Sequence, residues 1–256
     1  MNSTEPLSGS DRYLEAVTHL LQRIHVEEAA AISSAARDVA SQIAEDRLVH
    51  VFGPGGHSNL ATQEVFFRAG GLMHMAPMLD EGTLLSNGAL RSMAIERNPG
   101  YGSIVVRDHR LGSGDLLILV NAYGINAAVI DAALEARARD VRTIGVTSRE
   151  HADRTAANHP ARHPSNQNLH QLVDLVIDSK VPIGDAIIDI DGAREKVAAI
   201  STFANAFILN CLMLRTVEML TAQGTPPPIW RSGNAPGGDE ANAEFIDLFR
   251  NRIRAL

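Results

Sequence analysis

Residues 47–67 read RLVHVFGPGGHSNLATQEVFF, a short apolar strand over Leu48–Phe52 that enters a glycine turn holding His57 and Ser58, then a helix that carries Glu64. Gly55 and Gly56 allow backbone N–H groups to approach a ligand closely, and Ser58 adds a hydroxyl. The helix N-terminus contributes unpaired donors and partial positive charge, so the stretch has the plan of an anion or sugar cradle. Glu64 falls about two turns into that helix, in position to face the loop's contents. It is neither a Walker loop nor a dinucleotide fingerprint: GxxxxGK[ST] is absent, and Ser58 stands where the third glycine of G-x-G-x-x-G belongs.

Outward from this unit, apolar spacing predicts one or two amphipathic helices between Asp11 and Glu45. Further strands are expected at Leu72–Met78, Asp115–Asn121, Val141–Thr147 and Gln171–Asp178, and a helix over Ile125–Arg139. Strands alternating with helices imply right-handed crossovers and a parallel sheet covered on both faces. The stretch His151–Asn168 reads as a surface loop, or a short helix plus loop. Lys196–Gln223 is apolar on every helical face and must be buried nearly all round, most simply at a subunit interface. A proline-stiffened loop and a final helix over Asn242–Arg254 complete one structural domain. It comprises an N-terminal helical segment (1–45), the α/β region (46–223) and a C-terminal loop and helix (224–256).

The chain has 256 residues and a formal charge of −7, with no basic run, which argues against nucleic acid and for a small-molecule role. The N-terminus lacks a signal-like segment and no uninterrupted apolar stretch is long enough to span a bilayer, so a soluble cytoplasmic protein is expected, with no membrane partner. The lone Cys211 reads as core packing.

In an open parallel sheet, ligands collect beyond the carboxyl ends of the strands. Three such ends are polar here: Gly53–Ser58, Asn121–Asn126 and Thr147–Ser148. Together they would line a pocket with hydroxyls, amides and backbone donors suited to a polyol. Gly55, Gly56, Ser58, Asn121, Tyr123, Asn126, Thr147, Ser148 and Asp185 are the expected substrate contacts. Glu64 is the first candidate for proton transfer, because aldose–ketose isomerisation needs one group that takes a proton beside a carbonyl and returns it to the neighbouring carbon. Glu96, in ERNPGYG, is the second. His57 suits a hydrogen-bonding role, since its spacing to Glu64 matches no standard zinc pattern. His163 is read either as a proton donor to a sugar oxygen or as a loop cap, and Asp185 either as a substrate contact or as a cap of its own turn. No cofactor is indicated, and no metal ligand is assigned.

The GPGGHS loop, GDLLILVNAYGINAAVIDAALEA and IGVTS resemble the sugar isomerase (SIS) domain of phosphosugar isomerases and binding proteins. More narrowly, ERNPGYG, ARHPSNQNLHQLVDLVID, KVPIGDA, ISTFANAFILN and SGNAPGGDEAN resemble bacterial SIS-domain proteins related to phosphoheptose isomerase and N-acetylmuramic acid 6-phosphate etherase. The resemblance runs from about Arg12 to about Phe245. It implies a three-layer α/β/α sandwich with a flavodoxin-like, five-stranded parallel sheet, a homodimer or homotetramer, and active sites at subunit contacts. It sets Glu64 at the catalytic glutamate of phosphoheptose isomerase, and Leu60 where that enzyme has its zinc-binding histidine. The usual serine- and threonine-rich phosphate turn is replaced by Asn121–Asn126, which has neither residue. A free sugar, or one with a different anionic group, is therefore expected as substrate. The leading expectation is an aldose–ketose isomerase working through an enediol, with Glu64 as shuttle and His57 or His163 assisting. A sugar lyase or etherase, and a non-catalytic sugar-binding regulator, are the alternatives.

Overall fold

The computed structural model describes residues 7–256, so the first six residues of the expected N-terminal segment lie outside the described residues. Two helices, α1 (Gly9–Glu27) and α2 (Ala29–Ala44), lead into β1 (Val49–Phe52), α3 (Gly56–Glu64) and β2 (Met75–Pro77). Then come α4 (Ala89–Glu96), α5 (Tyr101–Asp108), β3 (Leu116–Val120), α6 (Ala127–Ala138) and β4 (Arg142–Thr147). Short helices α7 (Arg149–Arg154) and α8 (Leu169–Leu172) precede β5 (Leu175–Asp178) and a hairpin of β6 (Ala186–Ile188) and β7 (Val197–Ala199). Helices α9 (Ser201–Ala222) and α10 (Gly238–Phe249) follow.

Five parallel strands form one sheet in the order β2-β1-β3-β4-β5. Strand alternation divides the core into two layers. Val49 and Val51 of β1 and Leu116, Ile118 and Val120 of β3 pack with α2 and α9. Phe52, Leu117 and Leu119 pack with α5, α6 and α8 on the opposite face. The arrangement is a three-layer α/β/α sandwich. A third cluster of Met73, Ala76, Trp230, Phe249 and Ile253 lets the C-terminal segment cover the β2 edge, which would otherwise expose unpaired backbone groups.

Several element boundaries differ from the sequence expectation. Val197–Ala199 pairs antiparallel with Ala186–Ile188 instead of opening the long helix. The carboxylate of Asp185 accepts the N–H groups of Ile200 and Ser201, which starts α9 at Ser201. The final parallel strand begins at Leu175, because residues 169–172 form a helical turn in which the Gln171 side chain accepts the Asn168 N–H. Helix α10 starts at Gly238, earlier than expected, with Asp239 and Glu240 in its first turn favouring that end of the helix dipole.

Helix α9 is long and apolar enough to cross a membrane on length and composition. Nevertheless Ala204, Ile208, Leu209, Leu212 and Leu220 are buried in the domain core, so it serves as a core helix here. Its remaining face leaves Phe203 and Leu214 exposed.

Candidate functional site

The strand order reverses direction between β1 and β3, the place where an open parallel sheet offers a ligand crevice beyond the carboxyl ends of its strands. The loops after both strands meet there. Gly55 has φ +83°, and a Cβ on it would lie 2.5 Å from Glu96 Oε2, so glycine is required both for the turn and for the approach of the glutamate. Glu96 ends α4. Its carboxyl is thereby packed over the glycine loop.

Asn121 fixes the other side. Its Oδ1 accepts the N–H groups of Tyr123 (3.2 Å) and Gly124 (2.7 Å), which leaves Nδ2 to donate to Glu96 Oε1 at 3.4 Å. Burial pushes the Glu96 carboxyl up to about 7, with the Asn121 bond and Arg97 only partly opposing it. Near neutrality the group is thus divided between acid and base forms, the condition that suits proton transfer in both directions.

Tyr123 stacks on His151 with ring centroids 4.1 Å apart. Burial raises the phenol's pKa, helped by the charges of Asp185 and Glu96, which keeps it a neutral donor. Burial also lowers His151, and its Nδ1 has no hydrogen-bond partner. His57, at the start of α3, stands with Nε2 3.6 Å from Asp185 Oδ2. Asp185 itself is buried and accepts from the Ile200 and Ser201 backbones and from the Ser201 hydroxyl at 2.7 Å. It caps the start of α9 and not its own turn.

The remaining expected contacts divide. Gly124, with φ +63°, lies against Thr147, whose buried Oγ1 has no partner. Asn126 occupies the N-cap position of α6 without capping it, and its buried Oδ1 is likewise unpartnered. Gly56 opens α3, with Ser58 buried in its first turn. Ser148 is engaged in structure: its hydroxyl donates to Val181 O at 2.7 Å and caps α7 by accepting the His151 N–H. His163 is tied to Asp131 at 3.1 Å and to Ser165 at 2.8 Å, and its backbone N–H bonds Ile125 O. It braces the loop after β3.

Glu64 is the last residue of α3, about 12 Å of helix rise beyond Gly56. It pairs with Arg68 at 3.5 Å, with its side chain 36% exposed, and no hydrogen bond or ion pair links it to Glu96, Asn121 or Tyr123. Sequence reading ranked Glu96 second because its partners are remote in the chain. It passed over His151, whose place three residues after the β4 strand-end Ser148 was the available signal. It also passed over Asn205, a fully buried amide on α9 with both polar atoms unpartnered. Among the described residues, no three His, Cys, Asp or Glu side chains gather as a metal-ligand set.

A doubly wound sheet of this order, with glycine and asparagine turns at its reversal point, defines a flavodoxin-like α/β sandwich. Within that class, the chain belongs to the SIS domain family, which matches residues 12–148. Over 95% of its length it is 34% identical to the UPF0309 protein of Halalkalibacterium halodurans, covering 96% of that protein. Over 94% of its length it is 36% identical to a UPF0309 protein of Streptomyces griseus, covering 95% of that one. Among solved structures, phosphoheptose isomerase from Neisseria gonorrhoeae is similar with a TM-score of 0.53 and 16% identity, over 80% of this chain and 96% of that one. The NanR protein of Vibrio vulnificus, solved with ManNAc-6P, is similar with a TM-score of 0.51 and 11% identity, over 96% of this chain and 70% of that one. At these identities the two structures share the fold.

Proposed function

We propose that this SIS-family protein binds a sugar in the crevice and isomerises it between aldose and ketose forms through an enediol, with Glu96, not Glu64, moving the proton. The observation that carries the reading is the Glu96 carboxyl, pushed up to about 7 and set between Gly55 and Asn121 at the strand ends. As carboxylate, Glu96 takes the proton from the carbon beside the carbonyl, leaving an enediol. As carboxylic acid, it returns that proton to the former carbonyl carbon. The hydroxyl and carbonyl oxygens exchange their own proton through a donor, a role assigned here to the Tyr123 phenol or the His57 imidazole beside Asp185.

The α6 N-terminus supplies first-turn N–H groups without a side-chain cap, and the turn before it has no Ser or Thr. These donors suit hydroxyls, or an anion held by few directed bonds, so a free or non-phosphate anionic sugar is the expected substrate in place of a phosphosugar.

The test is incubation of the purified protein with free, phosphorylated and other anionic aldoses and ketoses in deuterated water, followed by NMR. Deuterium entering at C1 or C2 with interconversion supports the reading. Loss of a substituent would identify a lyase, and saturable binding without exchange a sugar-binding module; either result replaces the isomerase.

A further inference from the structure

A cleft opens beside the β2 edge of the sheet. Phe249 and Ile253 are buried against the β2 edge, which turns Arg250, Arg252 and Arg254 outward around a cavity of 330 Å³. His50 of β1, Ala76 and Pro77 of β2, Asn251 and the stretch 108–110 at the end of α5 complete its lining. His50 precedes Phe52 on the same face of β1, and α5 ends where the chain enters β3. None of the cleft's lining residues belongs to the group around Glu96.

Its charge is uneven for a protein of net charge −7. Arg252 is met by Asp46 at 3.0 Å, and Arg254 by Asp108. Arg110 has no ion-pair partner among the described residues. The nearest carboxylate to Arg250 is Asp247 at 3.9 Å, with both side chains mostly exposed. Within the lining, the guanidinium groups of Arg110, Arg250, Arg252 and Arg254 stand against one carboxylate, Asp108. Inside, burial pushes His50 down to about 4, so its ring is neutral at pH 7, and its buried Nδ1 has no hydrogen-bond partner. His109 bonds Val105 O through Nδ1 at 3.0 Å, so its other nitrogen is not engaged by that contact.

We propose that this cleft is a binding site for a small phosphomonoester, its phosphate dianion held by Arg110 and Arg250 and its polar remainder reaching His50. The excess of arginine over carboxylate in the lining suits a dianion, and planar guanidinium groups give phosphate oxygens directed, charge-assisted bonds. The cavity volume exceeds that of phosphate alone and lies at the low end of small-ligand sites.

The experiment titrates inorganic phosphate, glycerol phosphate and succinate into the full chain by calorimetry at constant ionic strength. In parallel, histidine 15N spectra follow His50. Saturable binding of glycerol phosphate in preference to succinate is expected, with a shift of the His50 ring nitrogen resonances. Arg110→Gln and Arg250→Gln should each weaken it by about tenfold or more, the scale of one lost charge-assisted bond. Neither arginine makes a close ion pair, so both variants should keep the wild-type melting temperature. Absence of saturable binding, preference for succinate, or an undiminished affinity in the double variant with His50 unmoved would each overturn the proposal. The last outcome would assign the phosphate to the crevice instead.

Discussion

Glu96 Oε2 lies 2.5 Å from where a Cβ on Gly55 would stand, so the glycine loop and the end of α4 occupy the same space and neither can change alone. The close contact removes water from the carboxyl and makes Glu96 a weaker acid than an exposed glutamate.

If Glu96 carries the proton, Glu96→Gln will lower turnover by about two to four orders of magnitude while leaving sugar binding nearly intact. Glu64→Gln will stay within about tenfold of wild type, because Glu64 only pairs with exposed Arg68. Exchange rates measured by NMR in deuterated water check both variants. The reverse ranking would return the shuttle to Glu64.

Turnover should rise with pH through about 7 as Glu96 ionises, and stability should move the other way. The unfolded chain releases this proton near 4.5 and the folded chain only near 7, so the stabilisation from Glu96 is complete below 4.5 and lost as pH rises through 7. Urea melts of wild type and Glu96→Gln at about pH 5 and about pH 8 should show the variant gaining relative stability at the higher pH. A pH-independent difference contradicts the assignment.

Gly55→Ala combines a left-handed backbone with a methyl group driven into Glu96. A loss of roughly 1–3 kcal/mol is expected in chemical denaturation, together with reduced turnover. Wild-type stability in this variant would mean that the loop and α4 move apart freely.

Asp185→Ala should destabilise the fold by about 1–2 kcal/mol, since the carboxylate is the cap for the start of α9. His57→Ala, at a side chain 41% exposed, should leave the melting temperature nearly unchanged and lower only turnover. Equal thermal losses in both would make the pair structural.

The exposed apolar residues of α9, Phe203 and Leu214, are expected to lie at a contact between copies of the chain. Light scattering should give at least a dimer, weakened by Leu214→Glu. A monodisperse monomer at micromolar concentration would remove the idea of a shared site.

Local pattern made the sandwich readable before any coordinates. Continuous apolar runs such as residues 116–120 can be only central strands or buried helices, and their short length, with polar turns at both ends, decides for strands. The glycine turn after β1 was equally legible, because Gly55 is where the chain must take a positive φ. The group proposed here for proton transfer was not. Glu64 and Glu96 are both helix glutamates in sequence, and only packing distinguishes the one that pairs with Arg68 in solvent from the one pressed against Gly55 and Asn121. The β6–β7 hairpin escaped for a related reason, since Asp185 meets the start of α9 only after the chain has folded back. Backbone conformation is set by neighbours in sequence, whereas a shifted acidity or a remote cap depends on neighbours in space. The sequence by itself determined the layers and the cradle, and tertiary structure alone decided which carboxyl the cradle holds.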